Sequence, residues 1–275
     1  MDALVLQTDF GTDDGAVSAM KGVAFSVNRS LPIFDNTHGI EPYNIWEAGF
    51  RLIQAMPYWP EGTVFVSVVD PGVGSDRKSV VAKSKGRYIV TPDNGTLTFI
   101  AQHHGIDELR EIDESVNRLG GSEESYTFHG RDVYAYTGAR LAGGYISFEE
   151  VGPSLNPEGI VMLDCFEPVL RDDHTEGIIG VHDVRYGSLW TNIPRTMFLN
   201  LGKKVGDMVG VTIKFNGTTV YDHTMMYAHS FAEVEVGSPL LYVNSVDTMA
   251  IALNQASFAG VYKTGKGNDW HVYLR

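Results

Sequence analysis

The texture of the chain changes once, near residue 166, and that single change limits the folds open to it. From residue 3 to about 145, apolar runs alternate with segments whose apolar residues recur at helical spacing. This is the sequence form of an α/β domain with a mainly parallel sheet. Strands are expected at 3–8, 31–36, 63–69, 79–84 and 87–91. Helices are expected at 13–27 and 42–56, from Asn94-Gly95-Thr96 through His104, and at 131–142, ended by Gly143-Gly144. Beyond Phe166 short alternating runs replace the helical period, at 178–183, 188–193, 240–244 and 270–274. "VTIKFNGTTVYDH" predicts a hairpin, because Asn216-Gly217 favours the positive φ angles of a type I′ turn. The polar stretch Arg171-Asp172-Asp173-His174-Thr175 marks the connection, with the boundary at 168–175. The expected architecture is an α/β domain over 1–170 followed by a smaller all-β, barrel-like domain over 171–275.

Composition removes several classes of function. Apolar residues make up 43% and charged residues 20% of the 275, which is the balance of a globular chain rather than a disordered one. A net charge of -13, with no Lys/Arg stripe to offset it locally, argues against nucleic acid and suits a small neutral or cationic ligand. The amino terminus carries no basic leader pattern, and no apolar run approaches the ~18 residues of a membrane span, so a cytoplasmic location is expected. The single cysteine, Cys165, excludes an intramolecular disulfide and a multi-cysteine zinc cage; it reads as a core residue.

In an open α/β sheet, ligands bind beyond the carboxyl ends of the strands, so polar residues at strand exits carry the most information. Asp9 follows the first strand, Asp70 follows 63–69, Asp93 and Asn94 follow 87–91, and His129 follows the β-rich "SYTF". In "TDFGTDDGA" the acids suit helix capping, a vicinal diol held by Asp9, or a divalent cation. In "SVVDPGVGSDR" Asp70 and Arg77 flank a glycine turn. Alone, that stretch fits a β-turn with a surface ion pair. Joined by "TFHGRD", it offers an acid, a guanidinium and an imidazole that could hold and polarise one water, with Gly130 permitting close backbone approach to a ligand.

Taken together, "TDFGTDDGAVSAMKG", "DPGVGSDR", "NGTLT", "FHGRD" and "WTNI" resemble the S-adenosylmethionine (SAM) hydroxide adenosyltransferases, hydrolases related to the SAM-dependent chlorinase and fluorinase. The resemblance implies an α/β domain, a smaller β-barrel, and a homotrimer with active sites between the large domain of one subunit and the small domain of its neighbour. It implies SAM as substrate, with no cofactor and no metal. By position, the water-binding triad falls on Asp70, Arg77 and His129. Asp9 matches the acid that grips both ribose hydroxyls, Tyr43 an aromatic beside the sugar and sulfonium, and Phe128 a residue beside the reacting carbon. Asp183, Tyr186 and Ser188 fall where relatives contact the methionine amino group and the adenine, and Phe231 matches an adenine-stacking aromatic. Ser245 keeps the serine that contacts the methionine carboxylate, although Val246 replaces the fluorinase's neighbouring arginine and the segment from Leu253 to Gln255 also differs. Halogenating relatives carry tyrosine in place of Asp70 and lack the arginine and histidine.

Two other readings fit parts of the sequence. The acid-rich opening loosely resembles the calcium loop of the nucleoside hydrolases, with Phe10 in place of a proline and no second motif of that family. A non-catalytic SAM or adenosine sensor would bind the same ligand without the acid, guanidinium and imidazole being needed together.

Overall fold

The computed structural model describes residues 2–124 and 126–275, and the chain divides into two compact units between Leu163 and Asp164. The first unit is built from β1 (Leu4–Thr8), α1 (Ala16–Val27), β2 (Ile33–Thr37), α2 (Ile45–Ala55), β3 (Val64–Val68), β4 (Ser79–Ser84), β5 (Arg87–Pro92), α3 (Thr98–His103), β6 (Glu108–Glu111), α4 (Tyr136–Ala142) and β7 (Ser154–Leu155). A π-helical turn, Gly130–Ala135, runs directly into α4. The seven strands order as β2-β1-β3-β5-β4-β6-β7, parallel from β2 to β5 and antiparallel from β5 to β7. β1 and β3 are buried along their whole length, which is why they read as unbroken apolar runs: a central parallel strand is covered on both faces.

The core packs Leu4, Leu6, Val64 and Val66 against Met20 of α1 and Ala139 of α4. Gly138 lets α4 lie flat on the sheet, since a Cβ there would stand 2.5 Å from a methyl of Val66. Gly138→Ala is therefore expected to lower stability by about 1–3 kcal/mol, read as a lower urea midpoint at unchanged slope. An unchanged midpoint would show that the contact relaxes freely.

Three helices start later than their patterns suggest, and in each a side chain holds an amide in or just before the first turn. The Asp14 carboxylate accepts from Ala16 N at 2.8 Å, Asn44 Oδ1 accepts from Glu47 N at 2.9 Å, and Asn94 Oδ1 accepts from Thr96 N at 3.3 Å. Tyr126–Phe128 is not a strand, contrary to expectation. The Phe128 carbonyl instead accepts from the amides of Arg131 and Asp132 and so starts the π turn. Ser125 of that stretch lies outside the described residues.

The second unit comprises β8 (Val169–Leu170), β9 (Thr175–His182), β10 (Leu189–Pro194), α5 (Arg195–Leu199), β11 (Met208–Phe215), β12 (Thr218–Tyr227), β13 (Pro239–Val243), β14 (Thr248–Leu253), α6 (Phe258–Tyr262) and β15 (Trp270–Leu274). The strands follow the order β10-β14-β13-β12-β11-β15-β9, and β9 pairs again with β10, closing a seven-stranded barrel with β8 outside it. Closure leaves no edge among those strands to recruit another chain. Asn216 and Gly217 take φ of 47° and 80° between Phe215 and Thr218, the two-residue turn the sequence predicts. Ile179, Val211, Ile251 and Val272 fill the interior together with Phe198 and Phe258.

The units part earlier than 168–175 because hydrogen bonds, rather than polarity, decide ownership. Val161 N donates to Asp93 and Leu163 N to Thr98 in the first unit; Phe166 N donates to Asn268, and Asn268 donates to the Asp164 carbonyl, in the second. No helix among the described residues is long and apolar enough to cross a membrane.

Candidate active site

β3 surfaces at Val69, whose carbonyl accepts from the Asn94 side-chain amide at 2.9 Å, and the next residue is Asp70. The following turn is closed by Ser75 N to the Gly72 carbonyl at 3.0 Å, and Gly74 takes a φ of 81° that a side chain would resist. The reversal returns Arg77 to Asp70. Its Nε donates to both carboxylate oxygens at 2.8 and 3.0 Å, and its Nη2 donates to Oδ2. With side-chain exposures of 10% and 5%, this is a buried bidentate pair and not the surface pair a lone turn would suggest. Burial opposes the Arg77 charge, but the hydrogen bonds to Asp70 and the nearby Asp70 and Glu114 charges outweigh it and hold the guanidinium protonated.

His129 comes from the start of the π turn and is buried. Arg77 Nη2 lies 3.0 Å from its Nδ1, which links the three residue types expected of the triad. Burial lowers the His129 pKa, helped by Arg77 and Arg118 and opposed by Glu114 and Asp70, so the ring is neutral at pH 7. Asp70 and His129 line a cavity of about 330 Å³; Arg77 stands behind both and is not part of its wall. Phe10 and Phe128 meet edge-to-face across 5.8 Å on the same cavity. Gly130 also lines it, and a Cβ there would come within 3.2 Å of the Phe10 ring.

Asp9, at the exit of β1, enters the cavity wall from the opposite side, and its Oδ2 accepts from Tyr43 N at 2.8 Å. Tyr43 takes a φ of 68° and is 72% exposed where it lines the cavity. A non-glycine residue held there is strained, and the Asp9 hydrogen bond is one of the constraints that keeps it so. The loop carrying Asp9 is anchored by a chain that runs from buried Thr8 and His38 to the exposed side chains of Asp35 and Lys21. Thr8 Oγ1 accepts from Phe10 N at 3.1 Å and meets His38 Nδ1 at 2.8 Å, while His38 Nε2 meets Asp35 at 3.0 Å and Lys21 donates to Asp35 at 2.6 Å. One tautomer satisfies the chain: the threonine hydroxyl donates to Nδ1 and Nε2–H donates to Asp35.

Not every strand exit reaches the cavity. Asp93 and Asn94, expected beside the other exits, are turned to the backbone of Val161 and Val69. Asp9 and Asp14 each engage a backbone amide, and no group of three or more His, Cys, Asp or Glu side chains among the described residues is arranged to hold a metal. The Cys165 thiol, half-buried beside Glu167 and Asp164, is pushed up to about 11 by burial first and those charges second, and so remains protonated.

The barrel carries its own cavity, of about 790 Å³, where Tyr186 and Ser188 face Phe231 and the segment from Leu253 to Ser257. Asp183 is not in its wall. Its Oδ1 accepts from Arg185 N at 3.0 Å and Tyr186 N at 3.2 Å, folding the loop that presents Tyr186. Phe231 rests against Tyr242 with ring centroids 5.1 Å apart. Ser245 is exposed in the turn that precedes β14, at the opposite end of that strand from Leu253, and does not join the other three.

Comparison with known proteins decides the family. Residues 4–152 match the SAM hydroxide adenosyltransferase N-terminal domain and residues 177–271 its C-terminal domain. The chain belongs to the SAM hydroxide adenosyltransferase family. A relative from Methanocaldococcus jannaschii named (R)-S-adenosyl-L-methionine hydrolase is 38% identical, over 71% of this chain and 68% of its own. A fluorinase from Actinopolyspora mzabensis is 31% identical over 98% of this chain and 96% of its own. The crystal structure of an uncharacterized conserved protein from Thermotoga maritima superposes with a TM-score of 0.89 at 33% identity, covering 98% of this chain and 99% of that one. Family members thus include both a hydrolase and a halogenating enzyme at comparable similarity, and the residues around Asp70 have to separate them.

For a member of this family, the sequence reading leaves Glu114, Arg118, Ser79 and Tyr134 out of the site. Arg118 Nη2 lies 3.1 Å from His129 Nε2, Arg77 Nη1 donates to Ser79 Oγ at 3.2 Å, and Tyr134 places its hydroxyl 3.1 Å from Ser79. The one local signal was the i, i+4 spacing of Glu114 and Arg118, which pairs them at 2.6 Å but says nothing of His129.

Proposed function

We propose that the protein hydrolyses SAM to adenosine and L-methionine by in-line attack of water on C5′, as a cytoplasmic enzyme that needs no cofactor. The observation that carries this reading is the buried Asp70–Arg77 pair joined to a neutral His129 at the wall of one cavity. The sulfonium is already a good leaving group, so departure of the methionine thioether needs no general acid. The difficult partner is water, whose pKa is about 15.7, and the site must align it behind C5′ and polarise it. Asp70 accepts a hydrogen from it, and His129, held through Arg77, forms the adjoining wall that orients it, while Arg77 counters the carboxylate charge. The new C–O bond takes its electron pair from water oxygen, the C–S pair leaves on sulfur, and the water proton passes to the site.

The same electrostatics disfavour halide. An ionised Asp70 repels chloride or fluoride in a buried pocket but accepts a hydrogen bond from water. Asp9 is assigned to the ribose hydroxyls, with Tyr43 and Phe128 flanking the sugar and the reacting carbon, and Gly130 leaves the space they enclose open. Tyr186, Ser188 and Phe231 are assigned to adenine and the amino-acid end, with Asp183 supporting them and Ser245 reserved for the methionine carboxylate. A homotrimer, as the family resemblance implies, is proposed as the assembly in which the enzyme works.

Incubation with SAM in 18O-labelled water, in buffers with and without chloride, tests substrate and nucleophile together. Adenosine labelled at its 5′ oxygen in both buffers is expected. Unlabelled adenosine, a 5′-halogenated nucleoside, or release of free base after calcium addition would each overturn the reading.

A further inference from the structure

Around His129 the hydrogen bonds form a closed circuit. Arg77 Nη2 approaches Nδ1 at 3.0 Å and Arg118 Nη2 approaches Nε2 at 3.1 Å. Arg118 Nη2 also donates to Glu114 Oε2 at 2.6 Å; Ser79 Oγ donates to Glu114 Oε1 at 3.3 Å and accepts from Arg77 Nη1 at 3.2 Å. The Arg118 side chain is 7% exposed and its guanidinium lies over the Tyr126 ring, 4.7 Å from the centroid, so it is held from several sides.

A guanidinium has donors and no acceptor, while a neutral imidazole has one lone pair in the ring plane and an imidazolium has none. A protonated His129 would therefore set N–H against N–H at both ring nitrogens, beside two positive charges. The neutral ring satisfies one guanidinium at a time through its lone pair. We infer that Arg118, held by Glu114, is a positioning residue that keeps His129 neutral within this circuit. This rests on the proposed role of His129 in orienting water.

The groups facing the ring are Asp70 and Arg77 from the turn after β3, Glu114 and Arg118 from the segment after β6, and the rings of Tyr126 and Tyr134 at 6.0 and 6.5 Å. Burial holds the Tyr134 hydroxyl well above its ordinary pKa, so it contributes no charge. Burial is the largest influence on His129 and pushes its pKa down; the two arginines act in the same direction and the two carboxylates against it. The signs follow. Removing the Arg118 charge leaves Glu114 unopposed and raises the His129 pKa. Neutralising Glu114 leaves Arg118 unopposed and lowers it.

The test is a pH titration of the His129 ring by NMR in the full-length protein, assigned by loss of its resonance in His129→Gln, alongside the pH dependence of kcat with SAM. Arg118→Met is expected to move the titration upward by about one pH unit and to shift the acid limb of kcat in the same direction, with KM little changed. Glu114→Gln is expected to move both downward, and Arg118→Lys to stay near the parent. Melting temperatures of all three identify any variant that has lost its fold, and Arg118→Lys with Glu114→Gln then still decides the sign. Shifts in one common direction, or none, would overturn the inference. Opposite shifts in a protein that leaves SAM intact would uphold the clamp on His129 and refute the hydrolase reading.

Discussion

Asp70→Asn is expected to slow single-turnover hydrolysis of SAM by about 10²–10³-fold while leaving its Kd within about threefold. Asparagine keeps the shape of the side chain and one oxygen to accept from Arg77, but it removes the charge that orients water. Truncation to alanine would be a poorer experiment. It would leave the buried Arg77 guanidinium with no acceptor at that position, and breaking a buried pair outright costs about 3–5 kcal/mol of stability. The expectation depends on Asp70 acting on the nucleophile rather than on the ligand. Calorimetry with SAM and rapid-quench rates separate the two, and a loss of affinity as large as the loss of rate would place Asp70 among the binding residues instead. His129→Gln should follow the same pattern, since it touches Arg77 and the same cavity.

Asp9→Ala should do the reverse. SAM affinity is expected to fall about 10–100-fold, with turnover at saturating SAM within a few-fold of the parent. A carboxylate has about four lone-pair positions, and Tyr43 N occupies one of them at 2.8 Å, so acceptor capacity remains for two ribose hydroxyls. Asp9→Asn keeps an oxygen for the Tyr43 amide and loses acceptor capacity toward the diol. Its affinity should lie between those of the parent and Asp9→Ala if both functions matter, and a turnover defect without loss of binding would sink the assignment. Adenosine, which shares the ribose and lacks the sulfonium, should weaken in parallel with SAM in both variants.

Much of the architecture was legible because it is written in short-range terms. The buried runs of β1 and β3 appear as apolar stretches, Asn216-Gly217 dictates a two-residue reversal, and the glycines after Asp70 specify a turn that brings an acid and a base together seven positions apart. The strand exits at Asp9 and Asp70 followed from the same local patterns. Local signals misled in two ways. "SYTF" has strand composition, yet the amides that follow it take its last carbonyl into a π turn; Asp93 and Asn94 stand at a strand exit, yet backbone groups far along the chain, at Val161 and Val69, claim them.

Taken alone, the amino-acid order determined which segments become strands or helices, where the chain reverses, and which chemical groups are carried to strand ends, because periodicity and the φ demands of turns act over a few residues. Tertiary structure decided the rest. The contact of Arg77 with His129 spans 52 positions, the approach of Arg118 to the far side of that ring depends on where the segment after β6 lies, and barrel closure depends on β9 meeting β10 as well as β15. Those contacts are set by strand order and register, which emerge only when buried faces compete for partners across the whole domain.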